Sequence, residues 1–565
     1  MKLLRLSLIG KYKGLKDQVF DFSNSSGQIL AFIGLNGSGK SQLLELICEA
    51  FAICERSSRQ EFKVKTGLGR NEVKLEYVID LDTSLNQLDH IRVTIKQSGS
   101  IFYEKLTGDN WVEYISEESE ILPRYVVGYS SGLNENLQRS FMKNAVQYYD
   151  VIKVRSRYRT LRSQVKDVKG VEDLNRKYSA NHPGIFKAKR LDWSQSEVTF
   201  DSDITTLDQT VDFGADLIEK DTRAPNLIYL DYDCNALLMA SLAILPKKEL
   251  DDIFPDIEYK YPSLIKIHYK LNTKLIEDGA INDIKRLIEL VGSDNFEGLG
   301  NTSSEEQYNI FPLDYLEGVI HLNVGSELLR KNLNELYLGN PLTLFNRLYK
   351  LQLLGVRLWL AADKKKLKND SFLGNVKKPL KAHLPLSVTE LILSNREGGN
   401  IEFNDLSDGE AQLFQILGAA RLFRDENTLF VLDEPETHLN PSWRTHFHEC
   451  LNQVLSTKPK EQANTQVLLS THSPFMISSL PKEDVYCFSR SDDGIAMESP
   501  TAQTYGASFD VLIKQHFGLK SLISQTVVKK IREKLKQGDK EALQWIDENL
   551  GMSSEKAYLL RKLNS

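Results

Sequence analysis

The feature that most constrains the fold is the stretch "QILAFIGLNGSGKSQLLELICEAF", which begins at Gln28. An unbroken apolar run, Ile29 to Ile33, leads into Gly34, Gly37, Gly39, Lys40 and Ser41, spaced as GxxxxGK[ST], and an amphipathic helical pattern follows. Such a run reads as a buried strand, and the helix behind it offers free N–H groups and the positive end of its dipole. Glycines at these positions let the backbone of Asn36, Gly37, Ser38 and Gly39 curl around phosphate oxygens. Lys40 adds a point charge, and the Ser41 hydroxyl suits Mg²⁺. Strand and helix on either side separate this loop from an ordinary Gly-rich turn.

Three further stretches share that chemistry. "NTLFVLDEPETHLNP" is an apolar strand, Leu429 to Leu432, ending in Asp433 and Glu434. A carboxylate pair at the carboxyl end of a central parallel strand faces a ligand crevice. There Asp433 would hold Mg²⁺ through water, and Glu434 would orient or deprotonate an attacking water. "TQVLLSTHSPFMI" is a second apolar strand, Val467 to Leu469, running into Ser470, Thr471 and His472. In "NDLSDGEAQLFQILGAARLF" a polar turn opens directly into a helix, another potential anion site.

Taken in order, "GLNGSGKS", "LSDGEAQ", "LFVLDEP", "THLNP" and "LLSTHSP" resemble the Walker A, signature, Walker B, D-loop and switch-histidine elements of ABC-type ATPase heads. They are most similar to the non-transporter branch that includes SMC proteins, coiled-coil repair ATPases and the OLD family. The resemblance implies an α/β P-loop fold and ATP with Mg²⁺ sandwiched between two heads. Ser407 and Gly409 would touch the partner's γ-phosphate, Asn440 would sit in the D-loop and His472 would act as the switch. Asp408 departs from the transporter LSGGQ pattern, which weakens the transporter reading. The Q-loop stays open between Gln138 and Tyr129 with Ser130 and Ser131.

A chain of 565 residues calls for more than one core. We read residues 1–140 and 395–500 as the two parts of the head, 141–394 as a compact, mainly helical insertion, and 501–565 as a helical tail. Prolines from Pro183 to Pro385 rule a long coiled coil out of the insertion. Two basic stretches lie there. One gathers Lys153, Arg155, Arg157, Arg159, Arg162, Lys166 and Lys169 around Tyr158; the other runs from Lys364 to Lys381. They would either follow a phosphate backbone, with Tyr158 stacking, or form a solvated face; folding onto one surface would favour nucleic acid. His446 and His448, two apart on a helix, do not share a face and make a poor metal pair. The tail reads as three short helices divided at Gly538 and Gly551, with Val528, Ile531, Leu535, Leu543, Ile546, Tyr558 and Leu559 as apolar faces that would either pack on the head, since helices this short need tertiary support, or offer a partner a docking face.

A formal charge of −6 leaves any nucleic-acid or membrane affinity to local patches. Five scattered cysteines support neither disulfides nor a thiolate zinc site and suit the cytoplasm. The N-terminus reads as a strand rather than a signal peptide, and no segment approaches a membrane span. The tail lacks the Glu and DxD carboxylates of a TOPRIM nuclease, and the histidines lack an HNH arrangement. The combination resembles the PtuA-type ATPase subunits of Septu anti-phage systems, some of them retron-associated. That resemblance implies a separately encoded HNH-type nuclease, a possible retron reverse transcriptase with its RNA and DNA, and an even number of heads. The alternative is a compact DNA-repair ATPase of the RecF or SMC type.

Overall fold

Seven strands form the central sheet, in the spatial order Leu227–Tyr229, Tyr125–Ser130, Thr428–Asp433, Thr465–Ser470, Ile29–Gly34, Val485–Ser491 and Gly494–Glu498. The first six run parallel; the last pairs antiparallel at the edge. Every residue of Ile29–Gly34, Thr428–Asp433 and Thr465–Ser470 is buried, as continuous apolar strands covered on both faces must be. The computed structural model describes the chain except residues 64–67, 82–87, 115–119, 132–134, 187–188, 191–210, 213–216, 218–219, 276, 305–312, 370–371, 373, 375, 377–383, 457–464, 492–493, 519–522 and 565. Lys377, Lys378 and Lys381 of the second basic stretch, and the Asp492–Asp493 turn of the final hairpin, lie outside the described residues.

On one face of this sheet lies the Walker A helix, Lys40–Ser58, and beyond it an antiparallel six-stranded sheet built from residues 2–113. Leu43, Leu46, Ile47, Phe51, Phe32 and Leu75 share one core there, each large side chain contributing about 1.5–3 kcal/mol by leaving water. The polar stripe of this amphipathic helix does not face solvent. Glu45, Glu49, Glu55 and Arg56 are buried along with its apolar residues, because a second helix, Glu135–Gln164, brings partners for them. Lys143 Nζ meets Glu49 Oε1 at 2.8 Å, Ser140 donates to Glu49 Oε2 at 2.7 Å, and Asn144 joins Arg56 and Glu55 at 2.6 Å each. Arg139 contacts Glu45, which also accepts from Tyr12. Burial alone would raise the Glu49 carboxyl; Lys143 and Arg56 outweigh it and hold it at about 2.

The other face of the sheet packs against the signature helix, Asp408–Phe423, and the insertion. Among the described residues of 141–394, helical residues outnumber strand residues, yet the insertion also holds most of a five-stranded antiparallel sheet, ordered 296–302, 315–322, 261–270, 386–394 and 400–402. The pattern "YPSLIKIHYK" alternates buried and half-buried residues and is its central strand. The boundary read at residue 140 is crossed twice. Helix Glu135–Gln164 runs through it, and Leu227–Tyr229 leaves the insertion to form an edge of the central sheet.

The boundary at 501 is crossed as well. Helix Phe509–His516 packs on the head through Leu512, and Phe517 stands beside His472. Helices Gln525–Leu535, Asp539–Asn549 and Ser554–Asn564 follow the expected divisions. Among the described residues, Ile531, Ala542 and Ile546 are buried in these helices, outside the core clusters of the head, while Tyr558 is exposed rather than part of an apolar face.

Candidate functional site

Four parallel strands deliver their carboxyl ends to one edge of the sheet, and the site is assembled there. The strand ending at Ser470 stands between the phosphate-loop strand and the strand ending at Asp433. Gly39 caps the Walker A helix with φ 105°, a left-handed backbone, and a Cβ on it would lie 2.6 Å from Ile495 Cδ1. Among the described residues no side chain caps this helix, whose first N–H groups are of the kind that take an anion. Leu35, Asn36 and Gly37 are exposed, whereas Ser38, Gly39 and Lys40 are buried.

Lys40 Nζ donates to Gly34 O at 3.0 Å and Leu35 O at 3.3 Å, and lies 3.1 Å from His472 Nε2. An ammonium only donates, so Nε2 accepts and the imidazole proton sits on Nδ1. Burial and then Lys40 hold the His472 pKa below its ordinary value. The ring is therefore neutral at pH 7, and its 3.5 Å approach to Glu434 Oε1 is not an ion pair.

Ser41 Oγ donates to Asp433 Oδ1 at 2.9 Å, and Ser470 donates to the same oxygen. A hydroxyl and a carboxylate oxygen meeting at the end of the phosphate loop are hard ligands of the kind Mg²⁺ takes. Glu434 follows in a left-handed backbone, φ 53°. For a residue with a Cβ this costs about 1 kcal/mol or more, and it is held by the Glu434 N–H donating to Ser470 O and Oγ, both at 3.1 Å. The turn half-exposes the carboxylate beside His472. Two residues on, Glu436 is fully buried. Burial, with Glu434 nearby, pushes its carboxyl up to about 7, against a hydrogen bond from Thr471.

The signature helix begins with a capping box. Ser407 Oγ accepts from the Glu410 N–H at 3.3 Å, while the Glu410 carboxylate accepts from the Ser407 N–H at 3.0 Å and its hydroxyl at 2.8 Å. Glu410 thus takes donors that an external anion would otherwise use. Gly409 is buried against the D-loop, where a Cβ would meet His438 O at 3.0 Å and Trp443 at 3.3 Å. Gln412, buried one turn on, donates to Tyr129 OH at 2.7 Å and accepts from the His438 N–H at 3.0 Å. Asn440 is exposed and caps the next helix, accepting from the Trp443 N–H at 2.9 Å.

The structure thus brings together Lys40, Ser41, Asp433, Glu434 and His472. Ser407 and Gly409 form a separate, partly exposed helix start joined to the D-loop. Of the Q-loop candidates, Ser131 donates its N–H to Asp433 O at 3.0 Å, and Tyr129 is tied to Gln412. Gln138 instead lines an apolar cavity with Phe141, Tyr229 and Tyr349. Sequence reasoning missed Gln412, Glu436 and the capping partner Glu410. The last was legible in the spacing S-x-x-E; the others needed the fold.

Residues 251–478 match the family model described as "AAA domain, putative AbiEii toxin, Type IV TA system". That span includes the signature, Walker B and switch stretches and begins after the phosphate loop. Protein ea59 of Escherichia phage lambda is 30% identical over 109 residues, 18% of this chain and 20% of that protein. The retron Vc95 probable ATPase of Vibrio cholerae serotype O1 biovar El Tor is 29% identical over 122 residues, 20% of this chain and 22% of that protein. The chain thus spans about a fifth of the length of these curated relatives. Among solved structures, the SMC head domain from Thermotoga maritima is 11% identical with a TM-score of 0.29, covering 89% of this chain and 100% of that one. An Smc head domain from Pyrococcus furiosus is 12% identical with a TM-score of 0.30, covering 94% and 99%. With the phosphate-loop geometry above, this match gives the chain a P-loop ATPase fold with an AAA-type domain over residues 251–478. Among the described residues, no helix is long and apolar enough to cross a membrane.

Proposed function

We propose that this chain is the ATP-hydrolysing regulatory subunit of a cytoplasmic anti-phage complex, paired with a separately encoded HNH-type nuclease and, in a retron setting, with a reverse transcriptase and its RNA and DNA. The observation that carries the hydrolytic part is the meeting of Lys40, Ser41, Asp433, Glu434 and His472 at one sheet edge. The partial similarity to a retron ATPase supports the defence setting. In this reading Ser41 and Asp433 hold Mg²⁺, which would neutralise phosphate charge when bound. Lys40 leaves its loop carbonyls for the phosphates, Glu434 orients the attacking water, and neutral His472 hydrogen-bonds the terminal phosphate. Ser407, Asp408 and Asn440 are exposed, which suits a second head closing on them; Glu410 must then release the Ser407 donors. The working assembly is a head-to-head dimer or a higher even-numbered oligomer.

The test is purification of Glu434→Gln and Lys40→Ala from the native host with ATP and Mg²⁺. Glu434→Gln is expected to lose about 100-fold or more in hydrolysis while retaining ATP and forming dimers by light scattering. Lys40→Ala is expected to lose bound nucleotide. Normal hydrolysis by Glu434→Gln would sink the catalytic assignment, and recovery of the wild-type chain without a nuclease would favour a RecF- or SMC-like repair ATPase.

A further inference from the structure

Two basic stretches distant in sequence meet on one face. Helix Glu135–Gln164 exposes Lys153 and Arg157, four residues apart. Lys368, at the end of helix Ala361–Leu367, reaches Asp150 one turn before Lys153. Lys63, just past the Walker A helix, is fixed by its N–H donating to Gln147 Oε1 at 3.0 Å. These cations line one cleft with Tyr178 and His182. Their proximity shows in Lys364 beside them, whose ammonium is depressed by burial and then by Lys153, with Lys368 adding to it.

The charges in the cleft do not cancel. Asp150 is taken by Lys368, and Glu61 pairs with Arg59 at 2.9 Å. Among the described residues, no carboxylate pairs with Lys63, Lys153 or Arg157. Others of the first stretch are spent on structure: Arg155 meets Glu277 at 2.8 Å, and Arg159 meets Asp221 at 3.8 Å. Tyr158, expected to stack on bases, is fully buried, its hydroxyl donating to Asn175 at 2.6 Å and its ring packed on Tyr178 and Phe186. What the cleft offers a ligand is concentrated positive charge, in a chain whose total charge is −6, rather than an aromatic platform. Low-dielectric walls focus such a field.

We propose that this cleft is a second phosphate-recognition site, separate from the phosphate loop, which takes a chain of phosphates without reading bases. A polynucleotide backbone and a free polyphosphate share that chemistry. The site does not depend on the hydrolytic reading above.

The test uses the full chain carrying Lys40→Ala, so that the phosphate loop does not capture the probe. Fluorescence anisotropy follows labelled single-stranded DNA and its duplex across a salt series, with inorganic tripolyphosphate as competitor. Lys153→Glu with Arg157→Glu is expected to weaken DNA binding at least about tenfold and to reduce the slope of log affinity against log salt by about two. Lys153→Gln with Arg157→Gln, whose thermal melt checks the fold, is expected to lose less. Lys331→Glu, outside the cleft on helix Glu327–Leu336, is expected to bind like its parent. Displacement of DNA by tripolyphosphate at equal phosphate concentration assigns the site to a free polyphosphate, and displacement by unlabelled DNA alone assigns it to a backbone. Parental affinity in the double Glu variant, or no binding of any probe at low salt, overturns the proposal. Hydrolysis by the unmodified chain is read separately, so either reading can fail without the other.

Discussion

Glu434 and Glu436 are two residues apart and live in opposite surroundings. Glu434 is half-exposed on a left-handed turn; Glu436 is buried. Since burial raises Glu436 to about 7, the folded state binds a proton that the unfolded chain releases near pH 4.5. Stability therefore falls as pH rises from the ordinary carboxyl value to 7. Glu436→Gln, which mimics the protonated form, is expected to be more stable than the parent at pH 8 by about 1 kcal/mol or more, with the gap narrowing toward pH 5. Calorimetric melts at both pH values check this; an equal gap at both would remove the proton from the account.

At the scale of elements, the Walker A helix and helix Glu135–Gln164 behave as one unit because their facing charges are buried and paired. Glu49 is the clearest case, with Lys143 at 2.8 Å, Ser140 at 2.7 Å and Arg56 at 3.5 Å. Lys143→Met would strip a buried carboxylate of its nearest cation and is expected to cost about 3 kcal/mol in chemical denaturation. With Glu49 held at about 2, its contribution is present above the ordinary carboxylate value and is lost as pH falls toward 2. The variant is thus expected to narrow its deficit in acid. Loss below 1 kcal/mol at neutral pH would show that Arg56 and Ser140 suffice. Gln412 plays the corresponding part for the signature helix, fixing it to both the strand end at Tyr129 and the D-loop at His438.

Over the whole molecule, the three last helices stand apart from the packing of the head. Their buried residues belong to neither large core, whereas Leu512 and Phe517 do pack on the head. Removal of residues 524–565 is expected to shift the melting temperature by less than about 2 °C, since a loss of 1 kcal/mol in a large domain moves it by about 2–4 °C. A larger drop would mean that the tail supports the head after all.

The local chemistry of the site was legible in the sequence because each piece is contiguous. A buried strand, a glycine loop and a helix start need only neighbours in the chain, and so do a carboxylate pair at a strand end and the division of the tail at Gly538 and Gly551. What depends on long-range partners was not. Glu45, Glu49 and Glu55 read as the polar face of an amphipathic helix until helix Glu135–Gln164 covered them. Tyr158 read as an exposed aromatic among cations until Tyr178 and Phe186 enclosed it. Lys153 and Lys368, more than two hundred residues apart, share a cleft through Asp150. Strand pairing and charge burial depend on which segments meet in space, and local pattern does not carry that information.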